Sequence, residues 1–597
     1  MKKVKTSMLL MAAIALMAGC SSEEDWTDEW DYYSDTSGTP GSSAGSTTVT
    51  GDVTTFDIAL DDSDLNETET VPSDDNDYVE NSTFSKQIAI NFSGTTATCT
   101  GSVDGVTVST SGADVVVDAQ TEGLAISVSG TTSDGSLKIY STKKLLLNLQ
   151  GATITNPTGA AINIQSKKRI FVVLAEGTTT TLTDGTTYTD ITEGEDMKAC
   201  FFSEGQLCFS GKGRLNVYAN CQAGIRSDDY IMTRPGVNIY VKATAGNGIK
   251  GNDAIIVRGG VINIEVSALA AKALSTDGYA LICGGRTTCI TTGNATLDED
   301  NELTASAGLK ADSTLTVSGG QLLLKSTGNG AKGISTDQQA FFTGGEVAVI
   351  TTGKTFTYGR DDAKAKGIKA DGDIRISGGS LKVRATGSDG SEAIESKGEI
   401  TIEGGEIQAY SYDDAINSKG NLYLNSGLVY ACSSGNDAID ANKNLYISGG
   451  TTIALGAGQP ENALDAAEGY SIVISGGNVF GLGGSTAQTA SSSSQASVAY
   501  QASVGGKTIG LFDASGNGLM AMQVPASSLN AVYMTVQGMT AGQTYTLKSG
   551  VSVSGGTTWN GISTTGTISG GTTLATATSA SQVGQGMGGG MNPGGRR

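Results

Sequence analysis

Residues 391–450 read SEAIESKGEITIEGGEIQAYSYDDAINSKGNLYLNSGLVYACSSGNDAIDANKNLYISGG. Three aliphatic residues, Ile394, Ile416 and Ile439, each follow an Ala and stand a few residues before an alternating triplet. The triplets are Ile400-Thr401-Ile402, Leu422-Tyr423-Leu424 and Leu445-Tyr446-Ile447. Gly-Gly or Ser-Gly follows, and then a second alternating run such as Glu406-Ile407-Gln408. A unit this short cannot bury its own apolar face, so copies must stack on one another. The stretch predicts a solenoid.

Outward from it, anchor aliphatics recur at Ile139, Ile162, Phe201, Ile225, Ile249, Leu274, Leu309, Ile334, Ile368 and Leu464. Three short strands and about 24 residues per repeat predict an all-β parallel β-helix of about 13 coils. The chain divides into a signal peptide (1–19), a disordered acidic tether (20–77), an N-terminal β cap (78–136) and the β-helix (137–484). A linker (485–502), a small C-terminal β region (503–578) and a disordered Gly/Met tail (579–597) complete it. Longer repeats place loops at 293–303 and 353–366, read equally well as walls of a groove or as neutral insertions.

Lys2, Lys3 and Lys5 precede a short apolar run ending in Leu16-Met17-Ala18-Gly19-Cys20, the pattern of an export signal. The placement of Cys20 resembles a bacterial lipobox, which implies lipidation there and an outer-membrane lipoprotein. The acidic run at 21–25 resembles a surface-export signal of Gram-negative lipoproteins, and reads equally as solvated linker. A net charge of −22 argues against nucleic acid, and against docking on an acidic polymer unless a cation bridges the two. Seven further cysteines follow no disulfide framework and read as small buried residues. With no His in the chain, imidazole catalysis and His-ligated metals are excluded.

Stacking turns sequence columns into ladders. Before the anchor runs a column of Ala or Gly, from Gly224 to Ala463, either an outward shelf for a polymer or a tightly packed corner. Three residues after the anchor, Asp228, Asn252, Asp277, Asp312, Asp337 and Asp371 line up, and turn formation explains them best. In the last repeats Glu392, Glu395, Asp413, Asp414, Asn417, Asp437 and Asp440, followed by Glu461 and Asp465, gather beside equivalent anchors. So many oxygen donors suit a hard cation such as calcium, with Asp413 and Asp414 as first ligands, or else form a solvated acidic edge. Tyr423 and Tyr446 share one column, with Tyr412 and Tyr430 nearby. These are sugar-stacking platforms or an ordinary surface ladder.

The succession NLQGATITNPTGAAINIQSKKRIFVVLAEGTTTTLTDG, GIKGNDAIIVRGG and SEAIESKGEITIEGGEIQAYSYDDAINSKG resembles the carbohydrate-binding family built on a pectate-lyase-like right-handed β-helix. The resemblance spans roughly residues 90 to 480. It implies a calcium-bearing rod that binds cellulose-like or acidic pectin-like polysaccharide. The family's Asp-Asp-Gly-Ile-Asn stands here as Asp413-Asp414-Ala415-Ile416-Asn417, and its preceding acidic residue as Glu395. A monomeric, non-catalytic polysaccharide binder is the expected function. A calcium-dependent lyase using Lys397 or Lys419 as base is the first alternative, and an adhesive rod the second.

Overall fold

The computed structural model describes residues 52–584, apart from Asp190 and Ala487. The expected signal peptide, Cys20, the first part of the tether and the Gly/Met tail from 585 lie outside these residues. The chain is all-β, and among the described residues the one helical element is a three-residue 3₁₀ turn, Val79–Asn81. Its body is a parallel β-helix. One coil shows the plan: Lys366–Ala370, Ile374–Ile376 and Ser380–Ala385, joined by tight turns.

The first strand of each coil joins a 15-stranded sheet, and the other two contribute to a 29-stranded one. The anchors pair in register, Ile368 with Ile394, Ile394 with Ile416, Ile416 with Ile439 and Ile439 with Leu464. At the start the register differs from the expected one, because Leu137, not Ile139, pairs with Ile162. Both alternate inward on the same strand, so spacing alone does not choose between them.

Anchors and triplets fill one continuous apolar core, with Ile394, Ile416, Ile439, Leu422 and Leu445 fully buried. Each such side chain contributes roughly 1.5–3 kcal/mol by leaving water. The Ala/Gly column belongs to this interior. A Cβ on Gly333 would lie 2.1 Å from Val349 Cγ1, and one on Gly367 2.4 Å from Val383 Cγ1. Ala393, Ala415 and Ala438 are wholly buried. The column is therefore a packing surface, and the outward shelf is absent. Between the second and third strands the corner glycine is left-handed, as at Gly379 (φ +78), and its Cβ would lie 2.7 Å from Gly344 backbone.

Both ends are closed. At the N-terminus, antiparallel hairpins Lys86–Ser93/Thr96–Thr100 and Val106–Ser111/Asp114–Ala119 cover the first coil. At the C-terminus, Ala531–Thr535 pairs antiparallel with the last helical strand, Asn478–Gly483. A five-stranded antiparallel sheet stands beyond it. The segment expected as linker, 485–502, is ordered over this end. Gln495 is buried and donates to Gly477 O and Thr535 Oγ1, both at 2.8 Å, and Val498–Gln501 pairs with Ala531–Thr535.

The expected tether also differs. From residue 52 to 78 the chain has no strand, yet it lies along the rod as a strap. Phe56 and Tyr78 are buried at its two ends. Between them its carboxylates meet arginines 92 to 225 residues further along the sequence, from Asp77 with Arg169 to Asp61 with Arg286. The acidic composition is matched by these distant cations, a pairing that local sequence does not display.

Candidate functional site

On the outer face of the 15-stranded sheet three columns run beside the anchor. One position after it stand Arg226, Lys250, Ser275, Lys310, Ser335 and Lys369, then Glu395, Asn417, Asp440 and Asp465. The sign of this column inverts at Glu395. Two positions further, the Asp column faces the cationic half. Lys310 pairs with Asp312 at 2.7 Å and with Asp337 at 2.6 Å, and Lys250 pairs with Asp277 at 2.7 Å. Lys369 and Lys397 meet on Asp371, at 2.6 and 3.0 Å. These aspartates are ion-paired partners of the lysines. At two of these turns the bond comes from the preceding residue: Ser227 Oγ accepts Asp229 N–H and Thr276 Oγ1 accepts Gly278 N–H, both at 3.0 Å.

Past the inversion the expected cluster divides in three. Glu392 and Glu395 are both closed by the buried Lys366, which lies 2.8 Å from Glu395 Oε2. With this ammonium between them they are not open cation ligands. Asp413 turns into the corner between coils, accepting Gly390 N–H at 2.7 Å and Asn436 Nδ2 at 2.6 Å. Asp414, Asn417, Asp437 and Asp440 remain together. Asp465 joins them, as do two amides that the sequence reading passed over, Asn442 and Asn462.

Asn417 Nδ2 donates to Asp414 Oδ2 at 2.7 Å and to Asp440 Oδ2 at 3.3 Å. Asn462 Nδ2 donates to Asp465 Oδ1 at 3.0 Å. Carboxylate oxygens of Asp437, Asp440 and Asp465 all lie within 4.8 Å of one another. Asp414 is 4 % exposed and Asp437 8 %. Burial, then neighbouring acids, push Asp414 up to about 9 and Asp437 up to about 8. Burial lifts Asp440 and Asp465 to about 6, with Lys419 the cation that holds Asp440 down. Such a row is costly unless protons or a cation compensate it.

The tyrosines flank this row unequally. Tyr423 and Tyr446 stack with ring centroids 5.2 Å apart and planes 9° from parallel. Asn421 Nδ2 donates to Tyr423 Oη at 3.0 Å and to Glu399 Oε1 at 2.7 Å. Only residues 419–421 separate this platform from the strand Ile416–Ser418. Tyr412, 46 % exposed, stands at the opposite corner. Tyr430 is no platform, because it packs under the strap against the cluster of Val53, Phe56 and Ile58.

The two loops form hairpins, Thr296–Leu297/Leu303–Thr304 and Phe356–Tyr358/Asp361–Ala363, which approach each other over the basic half. Beneath them lies Lys332, whose ammonium donates to the carbonyls of Gly330 and Lys364. Burial and Lys366 push it down to about 7. It is the desolvated lysine that sequence reading did not find. Its signal was its place two residues before an anchor, in the column that later holds Glu392 and Asp414. The expected base Lys397 is instead held up by hydrogen bonding to Asp371.

The fold and this row define a parallel β-helix with an oxygen-rich, amide-laced face beside paired aromatic rings. Residues 111–296 and 305–438 match the model of the carbohydrate-binding domain-containing protein family, and the chain belongs to that family. The interruption coincides with the first hairpin, and Asp440 and Asp465 lie beyond the match. A carbohydrate-binding domain-containing protein of Acetivibrio thermocellus is 38 % identical over 120 residues, 19 % of this chain and 41 % of the relative. The chain thus spans less than half the length of that relative. A solved structure described as the polysaccharide lyase-like protein from C. thermocellum, a gadolinium derivative, is 21 % identical. It covers 53 % of this chain and 96 % of its own, with a TM-score of 0.29.

Proposed function

We propose that this chain binds polysaccharide without cleaving it, on the face bounded by Tyr412 and the Tyr423–Tyr446 stack, with calcium held by the acidic row. The observation that carries this reading is the row of buried Asp414 and Asp437 and half-buried Asp440 and Asp465 beside an aromatic platform, in a chain of a carbohydrate-binding family. The donor set fits calcium. It consists of carboxylates on several coils, to which the Asn417 and Asn462 amides donate, and the chain has no His to favour a softer metal. Bound calcium would supply the missing positive charge and a bridge to sugar hydroxyls or uronate carboxyls. The chain's own residues would orient the ring, with Tyr423 and Tyr446 offering a flat face and Asn421 and Asn444 lining the corner. Attachment to the outer membrane through Cys20 is part of the same proposal, and metabolic acyl labelling of Cys20→Ala against the parent chain tests it.

Affinity gel electrophoresis through polygalacturonate, cellulose derivatives and mucin-type glycans, with calcium and with chelator, tests the binding. Calcium-dependent retardation by intact polymer supports the reading. Equal mobility in all gels refutes it. One observation favours a second reading, a lyase. Lys332, pushed down to about 7, supplies a neutral amine near neutral pH, the state a proton-abstracting base needs. Appearance of unsaturated product that vanishes in Lys332→Met would establish that activity.

A further inference from the structure

Nine arginines fall among the described residues, and six of them meet the strap: Arg169, Arg214, Arg234, Arg258, Arg286 and Arg384. In a chain of net charge −22 this is a concentrated basic face. The strap answers it mostly with carboxylates. Arg214 Nη1 lies 2.8 Å from Asp62 and Arg286 Nη1 3.1 Å from Asp61. Arg234 holds Glu69 at 2.9 Å and grips both oxygens of Glu80 at 2.8 and 3.1 Å. Glu67 spans two coils, its oxygens accepting Gly260 N–H at 2.6 Å and Gly285 N–H at 2.8 Å.

The middle of the strap forms no ladder with the sheets. From 65 to 71 its residues alternate between half-buried and exposed, with Leu65, Glu67, Glu69 and Val71 facing the rod. The face thus reads an extended chain through carboxylates set along it and through backbone carbonyls, Arg286 Nη2 donating to Asp61 O at 3.0 Å and Ser63 O at 2.8 Å and Arg384 Nη2 to Phe56 O at 2.9 Å. Planar guanidinium forks and outward N–H groups would take the carboxylates of another extended polymer equally well.

We propose that this arginine-lined face is a second ligand site, for an extended carboxylated polysaccharide of the polyuronate type. Residues 59–77 are its resident intramolecular competitor. The face differs from the acidic row in charge and in needing no metal. Phe56, under the cations of Lys382 and Arg384, and Tyr78, under Arg234 and Arg258, hold the two ends while the polar middle exchanges. Arg286 is 1 % exposed, so simple opening would strand a buried guanidinium. The strap leaves only when another polyanion takes its place. Duplex nucleic acid, rigid and densely charged, is disfavoured by the net charge of the rest of the molecule.

Hydrogen exchange of the full chain in chelator, with and without oligogalacturonate, tests this. Amides of 59–77 should exchange faster with the oligomer present, while those around Phe56 and Tyr78 stay protected. Glu67→Gln with Glu69→Gln should bind polygalacturonate about tenfold tighter in chelator, and adding Arg214→Ala should remove part of that gain. Unchanged or slower exchange in 59–77 overturns the proposal, and this arm needs no variant to fold. Equal release by a neutral cello-oligomer or by duplex DNA overturns the carboxylate class. Because every arm runs without calcium, failure here leaves the acidic-row reading untouched, and failure of that row leaves this one standing.

Discussion

Asp437 and its neighbours carry the first predictions. Their folded pKa values lie above the ordinary 3.8, so the folded chain binds more protons than the unfolded one between about pH 4 and 9. Stability of the metal-free protein should therefore fall as pH rises through that window, by an amount on the order of a few kcal/mol. No His titrates there, and Lys332, pushed down to about 7, opposes the slope only above that pH. Thermal unfolding in chelator should show a lower Tm at pH 8 than at pH 5, and saturating calcium should flatten the difference. Asp437→Asn with Asp440→Asn should raise Tm in chelator at pH 8 and abolish the gain from calcium. If the double variant still gains from calcium, the cation lies elsewhere. Tyr423→Ala with Tyr446→Ala should lose about 1–3 kcal/mol of polysaccharide binding with little change in Tm, read by affinity gels and calorimetry. At this scale the sequence showed the clustering of acids but not their division. Asp413 and Asp414 are adjacent in the chain, yet one holds a corner and the other joins the row. Glu392 and Glu395 looked like ligands until Lys366, a coil away, was seen to close them.

Each coil is specified by a few positions whose roles differ sharply. The anchors and triplets were legible because period-2 alternation and a 22–26 residue recurrence are local facts. The Ala/Gly column was ambiguous, since small residues suit both a bare surface and a crowded interior. Contact with Val349 and Val383 resolves it. Gly333→Ala should accordingly destabilise by roughly 1–3 kcal/mol in denaturant unfolding, with an unchanged m-value. A neutral outcome would mean that the coil relaxes around an added methyl. The strap reads as a tether in sequence for a different reason. Its partners lie far away in sequence, and acidity without apolar periodicity is also the mark of a disordered segment.

For the whole molecule, the caps keep the open ends of the solenoid from acting as templates. Exposed parallel edges invite pairing with other chains, and here antiparallel segments occupy both. Removing residues 485–584 should convert a monodisperse species into oligomers by light scattering, while the coils before 480 keep their β spectrum. A monodisperse truncated rod would show that the last coil protects itself. Solenoid architecture and approximate coil count followed from the sequence. The part that 486–501 takes in closing the C-terminal end did not, because this Ser/Gln/Ala-rich stretch has the composition of a spacer, and its buried Gln495 and Ser497 reveal a plug.

The in-register pairing of Ile394, Ile416, Ile439 and Leu464 has a consequence for how such a chain changes over time. Each coil ends where the next begins, one strand spacing along the axis, with its outward rung carried on it. Duplicating a single 22-residue repeat would lengthen the acidic row by one rung and move the C-terminal cap outward as a unit. Deleting one would shorten the row in the same way. Valency can thus be counted in whole repeats, so a lineage can adjust its grip on a polymer by copying DNA already proven to fold, without new point substitutions.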